Sequence, residues 1–257
     1  MGWKLFKHAF QMVTGNLHAA LRATLVPMLI LAGMFVLIIM GWDQSLGQPS
    51  PVLLFLVPAI LIMCIVLFPL IAITWHRYVL KEEFPRWIPR LGDKRIGAYF
   101  WTSVLIGLIL MIPSMIISTI VSALFWASLE EAALNGQQDI LQFSISGVLA
   151  GILMGTLAGF LWMRCALCLP AIALNEDENF GIGASWSKTS GVSKDVLVFA
   201  FFLAVLNVAA SFVPIMIGQV VVRDILSIVI NWFTFMIGLS ALTTLYGHLV
   251  EKRPLID

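Results

Sequence analysis

Long apolar runs separated by short polar connections dominate the chain, and six of the runs are each long enough to be one element. They cover 23–42, 51–75, 99–126, 145–169, 196–222 and 225–249. A helix rising about 1.5 Å per residue needs about 20 residues to cross a hydrocarbon core of about 30 Å. None of the runs alternates with period two, as a barrel strand would, and a helix satisfies its own backbone groups in lipid. The pattern therefore predicts an all-α fold: a six-transmembrane helical bundle forming a single integral membrane domain over 1–257.

A different periodicity precedes the first run. Trp3, Phe6, Phe10, Val13, Leu17 and Ala20 recur at steps of three and four, with Lys4, His8, Gln11, Gly15, His18 and Arg22 opposite. This predicts an amphipathic helix over 1–22 lying in the headgroup plane, with a partner-binding helix as the alternative. The segment from Phe180 to Gly191 is a second interfacial candidate, and the stretch from Phe84 to Arg90 a third. Each comes before a pair of spans, so the layout reads as three hairpin repeats.

Composition strengthens this reading. Of 257 residues, 60% are hydrophobic and 11% charged, against about a quarter charged in soluble domains. That balance excludes a soluble enzyme, a disordered chain and a disulfide scaffold. The net charge of +1 gives no pull on nucleic acid. Fourteen of the 15 Lys and Arg residues fall on one side of the expected spans, and only Arg223, in an expected turn at Val222–Asp224, falls on the other. The positive-inside rule then puts both termini in the cytoplasm. The first apolar run starts too late for a cleaved signal peptide. Trp42 and Trp126 at one set of helix ends, and Trp75 and Trp101 at the other, fit two interfacial belts.

Candidate chemistry is sparse. Gly147, Gly151, Gly155 and Gly159 keep a strict step of four, which lets two backbones approach closely. Ser114, Ser118 and Ser122 offer a matching stripe on the third span. The glycines remain open to packing within the chain, between two copies, or around a ligand. Asn207 and Asn231 are the most polar groups at membrane depth. With Ser211 and Thr234 they either pair as interhelical glue or line a pathway. Arg164 either snorkels or joins Arg77, His76 and His248 as anchors for lipid headgroups. Cys165-Ala-Leu-Cys168 lacks the second pair that a metal or redox site needs. No catalytic residues, metal site or cofactor are expected.

The stretches from Trp75 to Leu80, from Leu169 to Leu174 and from Tyr246 to Val250 resemble a group of bacterial inner-membrane proteins of unassigned activity. The layout is similar to the YciC-like proteins and to the membrane domain attached to some glycerophosphodiester phosphodiesterases. The likeness covers nearly the whole chain in layout, though the shared motifs are short. It implies a multi-pass protein of the bacterial inner membrane with interfacial helices. It carries over no catalytic residue, because that enzyme's chemistry belongs to a soluble domain absent from these residues. The expected function is a non-enzymatic accessory or scaffold subunit contacting lipids or a larger membrane complex, with homo-oligomers left open. The alternative is a small permease or lipid-handling carrier with a cavity between spans three to six. The two differ in whether Asn207, Ser211, Asn231 and Thr234 line a cavity or pair with one another.

Overall fold

The computed structural model describes residues 1–43, 48–49, 53–87, 95–134, 140–175, 180–215 and 219–254. Within them the chain forms α1 (Gly2–Gly15), α2 (Leu17–Gly41), α3 (Leu53–Lys81), α4 (Ile96–Leu134), α5 (Ile140–Ala166), α6 (Cys168–Leu174), α7 (Ile182–Ser190), α8 (Ser193–Ile215) and α9 (Val220–Leu249). Two two-residue strands, β1 (Trp42–Asp43) and β2 (Gln48–Pro49), pair antiparallel between α2 and α3. Six helices (α2, α3, α4, α5, α8 and α9) are long and apolar enough to cross a membrane. The chain is a multi-pass integral membrane protein of the all-α class.

The surface of α4 shows why lipid must be its solvent. Leu105, Leu108, Met111, Ile112, Met115 and Ile116 are all at least 50% exposed along one helix. Burying such a side chain is worth about 1.5–3 kcal/mol. Left in water, this one face would forgo on the order of 10 kcal/mol, as much as a whole domain's stability.

Four details depart from the sequence pattern. The first helix ends at Gly15, because Gly15-Asn16 interrupts it, and α2 starts at Leu17 instead of 23. The last two spans divide before Val220, so Arg223 and Asp224 lie within α9 and form no turn of their own. Val222–Asp224 holds no Gly or Pro to break a helix there. Trp75 is fully buried and serves the core, not a belt. The described part of the third interfacial candidate, 84–87, is not helical, and its remainder, 88–90, lies outside the described residues.

Two compact units emerge. One comprises Met1–Val13, Val104–Cys168 and Asn179–Asp257. In it α5 packs along α8, α7 lies on α5, and α1 lies along α8. The buried seam of α1 shares only Val13 with the expected stripe. Gly2, Leu5, Ala9 and Val13 are buried, while Trp3, Phe10 and Leu17 remain exposed. Small residues sit where the backbones come closest: a Cβ on Gly2 would lie 2.5 Å from the Asp195 carbonyl oxygen. The Gly2 amide donates to Asp195 Oδ1 at 2.7 Å, and the Trp3 and Phe6 rings flank the contact against Phe202.

The other unit comprises Thr14–Ser103 and Leu169–Glu178, with α2 packed on α3. Both α3 and α6 end on a left-handed residue, Glu82 (φ 56°) and Asn175 (φ 60°). That conformation closes a helix C-terminus at low cost for Asn and at higher cost for Glu. The carbonyls at the end of α6 are met by cations: Lys81 Nζ donates to Leu174 at 2.6 Å and Arg77 Nη1 to Ala173 at 3.5 Å. Positive charge at that end also opposes the helix dipole.

Candidate functional site

Apolar neighbours occupy the glycine step of α5 within the same chain. A Cβ on Gly155 would meet the Ala204 Cβ at 3.0 Å, one on Gly159 the Ala200 Cβ at 3.5 Å, and one on Gly151 the Val208 Cγ2 at 3.4 Å. The opposing stripe is therefore on α8. Only Gly147 faces α4, with Phe125 3.7 Å from its virtual Cβ. Ser114 and Ser118 are half-buried on α4, and the Ser118 hydroxyl donates to the Met115 carbonyl at 2.9 Å. Alanine fits the seam better than serine, since it adds no polar group that must be satisfied in lipid.

With that face of α8 occupied, its polar residues turn toward α9. Asn207, Ala210 and Ser211 of α8 and Ser227, Ile230, Asn231 and Thr234 of α9 line a half-open cavity of about 320 Å³. Every polar side chain in it bonds to a carbonyl of its own helix. Asn207 donates to Leu203 at 2.9 Å, Ser211 to Val208 at 2.6 Å, Ser227 to Arg223 at 2.9 Å, Asn231 to Ser227 at 2.7 Å and Thr234 to Ile230 at 3.0 Å. None of them bonds across the cavity, so they do not pair as interhelical glue. Each carboxamide can form four hydrogen bonds and forms one, leaving an N–H and both acceptor positions of each Asn open to the groove. Asn207 lies about 9 Å along α8 from Val213, and Asn231 about 13 Å along α9 from Val222, so both lie within the apolar spans. Polar capacity left open there is costly unless water or a ligand meets it.

The four expected headgroup residues have partners in the protein. Arg77 forms a bidentate pair with Glu83, Nε to Oε2 at 2.8 Å and Nη2 to Oε1 at 2.7 Å. His76 is completely buried, its Nε2 3.1 Å from the Tyr99 hydroxyl. Arg164 stacks 3.7 Å from the Trp186 ring centroid, donates from Nη2 to the Trp186 carbonyl at 3.0 Å and from Nε to Thr189 Oγ1 at 3.3 Å. It thereby fastens α7 to α5. The His248 Nδ1–H donates to the Arg253 carbonyl at 2.9 Å, holding the turn after α9. Each of these side chains ties local structure together.

One basic residue missed in the sequence stands apart. Arg22 lies between the rings of Phe84 and Trp87, its Cζ 5.3 Å from each centroid. The connection at 84–87 comes more than 60 residues after Arg22, and no short-range spacing announces the contact. Cys165 and Cys168 are buried free thiols, and burial raises the pKa of Cys168 above its ordinary value. Among the described residues no group of three or more His, Cys, Asp or Glu could hold a metal ion. No family model, curated protein or solved structure matches the chain, so its function is argued from geometry alone.

Proposed function

We propose that this protein is a non-enzymatic, lipid-handling carrier whose groove between α8 and α9 receives the polar part of a membrane amphiphile. The observation that carries this reading is the line of open hydrogen-bonding groups on Asn207, Ser211, Ser227, Asn231 and Thr234 inside two apolar helices. Exposed Phe212, Val213, Ile228 and Val229 border it, so an acyl chain would lie on the flanks while the polar group enters the groove. The lining carries no charge. The nearest cation, Arg223, is paired with Asp224 at 3.3 Å. A neutral hydroxyl- or amide-bearing amphiphile suits such a lining better than a phosphate. An accessory subunit would need an open packing surface, and its best candidate, the glycine step, is filled by α8.

Native mass spectrometry of the full chain in mild detergent tests the reading. Wild type should retain a neutral amphiphile, and Asn207→Leu/Asn231→Leu should lose it. Equal retention by both proteins, or a co-purifying membrane subunit in place of the amphiphile, would overturn the proposal. The charge asymmetry supports a bacterial inner-membrane location with both termini cytoplasmic. Reporter fusions at Gln48 and Gln137 should then both read periplasmic, and two cytosolic readings would reverse the topology.

A further inference from the structure

We infer that Arg22, caged by Phe84 and Trp87, is a binding site for a phosphate-bearing anion, separate in chemistry from the neutral α8–α9 groove. Arg77, Arg164 and Arg223 each donate to a carboxylate, hydroxyl or carbonyl oxygen, and Arg253 forms an ion pair with Glu251. Arg22 has no such partner among the described residues, and its Nε is sealed from solvent without a hydrogen bond. The two rings that hold the guanidinium attract its charge but supply no strong acceptor for its N–H groups. A half-buried cation kept in this way needs an anion, and the guanidinium fork matches two phosphate oxygens.

A second donor stands beside it. His18 lies one helical turn earlier on the same face of α2. Its ring is 5.9 Å from Phe84 and 6.5 Å from Trp87, and it is exposed. Arg22 sits five residues into α2, about 8 Å along the helix from its start. Phe84 and Trp87 keep 53% and 41% of their surface exposed, so the cage opens outward. A lipid phosphodiester and a free phosphate present the same oxygens, and the test separates them.

Full-length protein stripped of lipid in detergent is titrated with dioleoylphosphatidylglycerol or with dioleoylglycerol, which lacks the phosphate, and adducts are counted by native mass spectrometry. Asn207→Leu/Asn231→Leu, in which the neutral groove no longer takes the diacylglycerol, should take up the phosphatidylglycerol preferentially. Arg22→Gln should lower its affinity by about tenfold, the loss of one charge-assisted bidentate contact, and Arg22→Lys by less. Displacement of the lipid by millimolar inorganic phosphate would identify free phosphate as the ligand; no displacement would identify the lipid. Thermal melts check folding. Should Arg22→Gln not fold, Arg22→Lys and Phe84→Leu/Trp87→Leu decide. Wild-type affinity in the folded variants, or equal uptake of the two lipids by Asn207→Leu/Asn231→Leu, whose neutral groove is closed, would overturn the inference. Asn207→Leu/Asn231→Leu should leave phosphatidylglycerol uptake unchanged, so the two sites fail independently.

Discussion

Replacing Gly155 by alanine tests the α5–α8 seam most directly. The added Cβ would stand 3.0 Å from the Ala204 Cβ and 3.6 Å from the Ala204 Cα. Carbon atoms prefer about 3.5–4.0 Å, so the helices must part by roughly half an ångström or more. A Cβ cannot rotate away, and the strain must be taken up by the backbones. Overpacking of this kind costs about 1–3 kcal/mol, offset by the roughly 0.5–1 kcal/mol that alanine gains over glycine within a helix. The net expectation is a loss of about 1–2 kcal/mol. Gly159→Ala meets Ala200 at 3.5 Å, ordinary contact, and should be neutral or slightly stabilising. The decisive variant is Gly155→Ala/Ala204→Gly, which moves the methyl group across the seam and restores the space. Reversible unfolding in mixed micelles, followed by circular dichroism, gives the double-mutant cycle. A favourable coupling of about 1–2 kcal/mol is expected between the two positions. If Gly155→Ala is as stable as Gly159→Ala, or if the coupling vanishes, the glycine step does not set the α5–α8 distance.

Other expectations follow from single contacts. Tyr99→Phe removes the hydroxyl beside the buried His76 and should destabilise the protein by about 1–3 kcal/mol in the same unfolding assay, because a polar ring nitrogen loses a partner. Asp195→Ala removes the acceptor for the Gly2 amide, and Trp3 fluorescence should then shift as α1 detaches from α8. Cys165 and Cys168 should resist maleimide at pH 8 in the native protein and react once unfolded in detergent. Both are buried, and a raised Cys168 pKa leaves less of the reactive thiolate at that pH. Rapid native labelling of Cys168 would contradict its burial.

The long spans were legible because a run of some 20 apolar residues has one physical solution in lipid. Faces and partners were less so. In α1 the periodicity marks Trp3, Phe6, Phe10 and Val13, yet of these only Val13 joins Gly2, Leu5 and Ala9 in the buried seam. Hydropathy rewards the bulky residues, whereas close approach selects the small ones. Likewise, the glycine step of α5 was plain, but stripes at the same spacing occur as Ser114/Ser118 on α4 and as Ala200/Ala204 on α8. Spacing cannot choose between them; the cost of burying hydroxyls favours the alanines. The basic residues misled for another reason. Arg77 and Lys81 meet acceptors on Glu83 and on α6, and the α6 acceptors lie more than 90 residues away.

The same reasoning explains why Arg22 went unnoticed while Arg77 and Arg164 drew attention. A cation near an interface is a poor guide to ligand binding, because helix ends and turns supply carbonyls that satisfy it. What distinguishes a site is capacity left over once the protein's own acceptors are counted. By that measure Arg164 is satisfied, and Arg22, among the described residues, is not. Asn207 and Asn231 stand out on the same measure, each with one hydrogen bond of four to a backbone carbonyl. The unmet groups also differ in kind: uncharged donors and acceptors in the groove, and in the aromatic cage a cation with no acceptor among the described residues. A single ligand class does not suit both, since a phosphate in the groove would meet no cation and a neutral headgroup at Arg22 would leave its charge uncompensated.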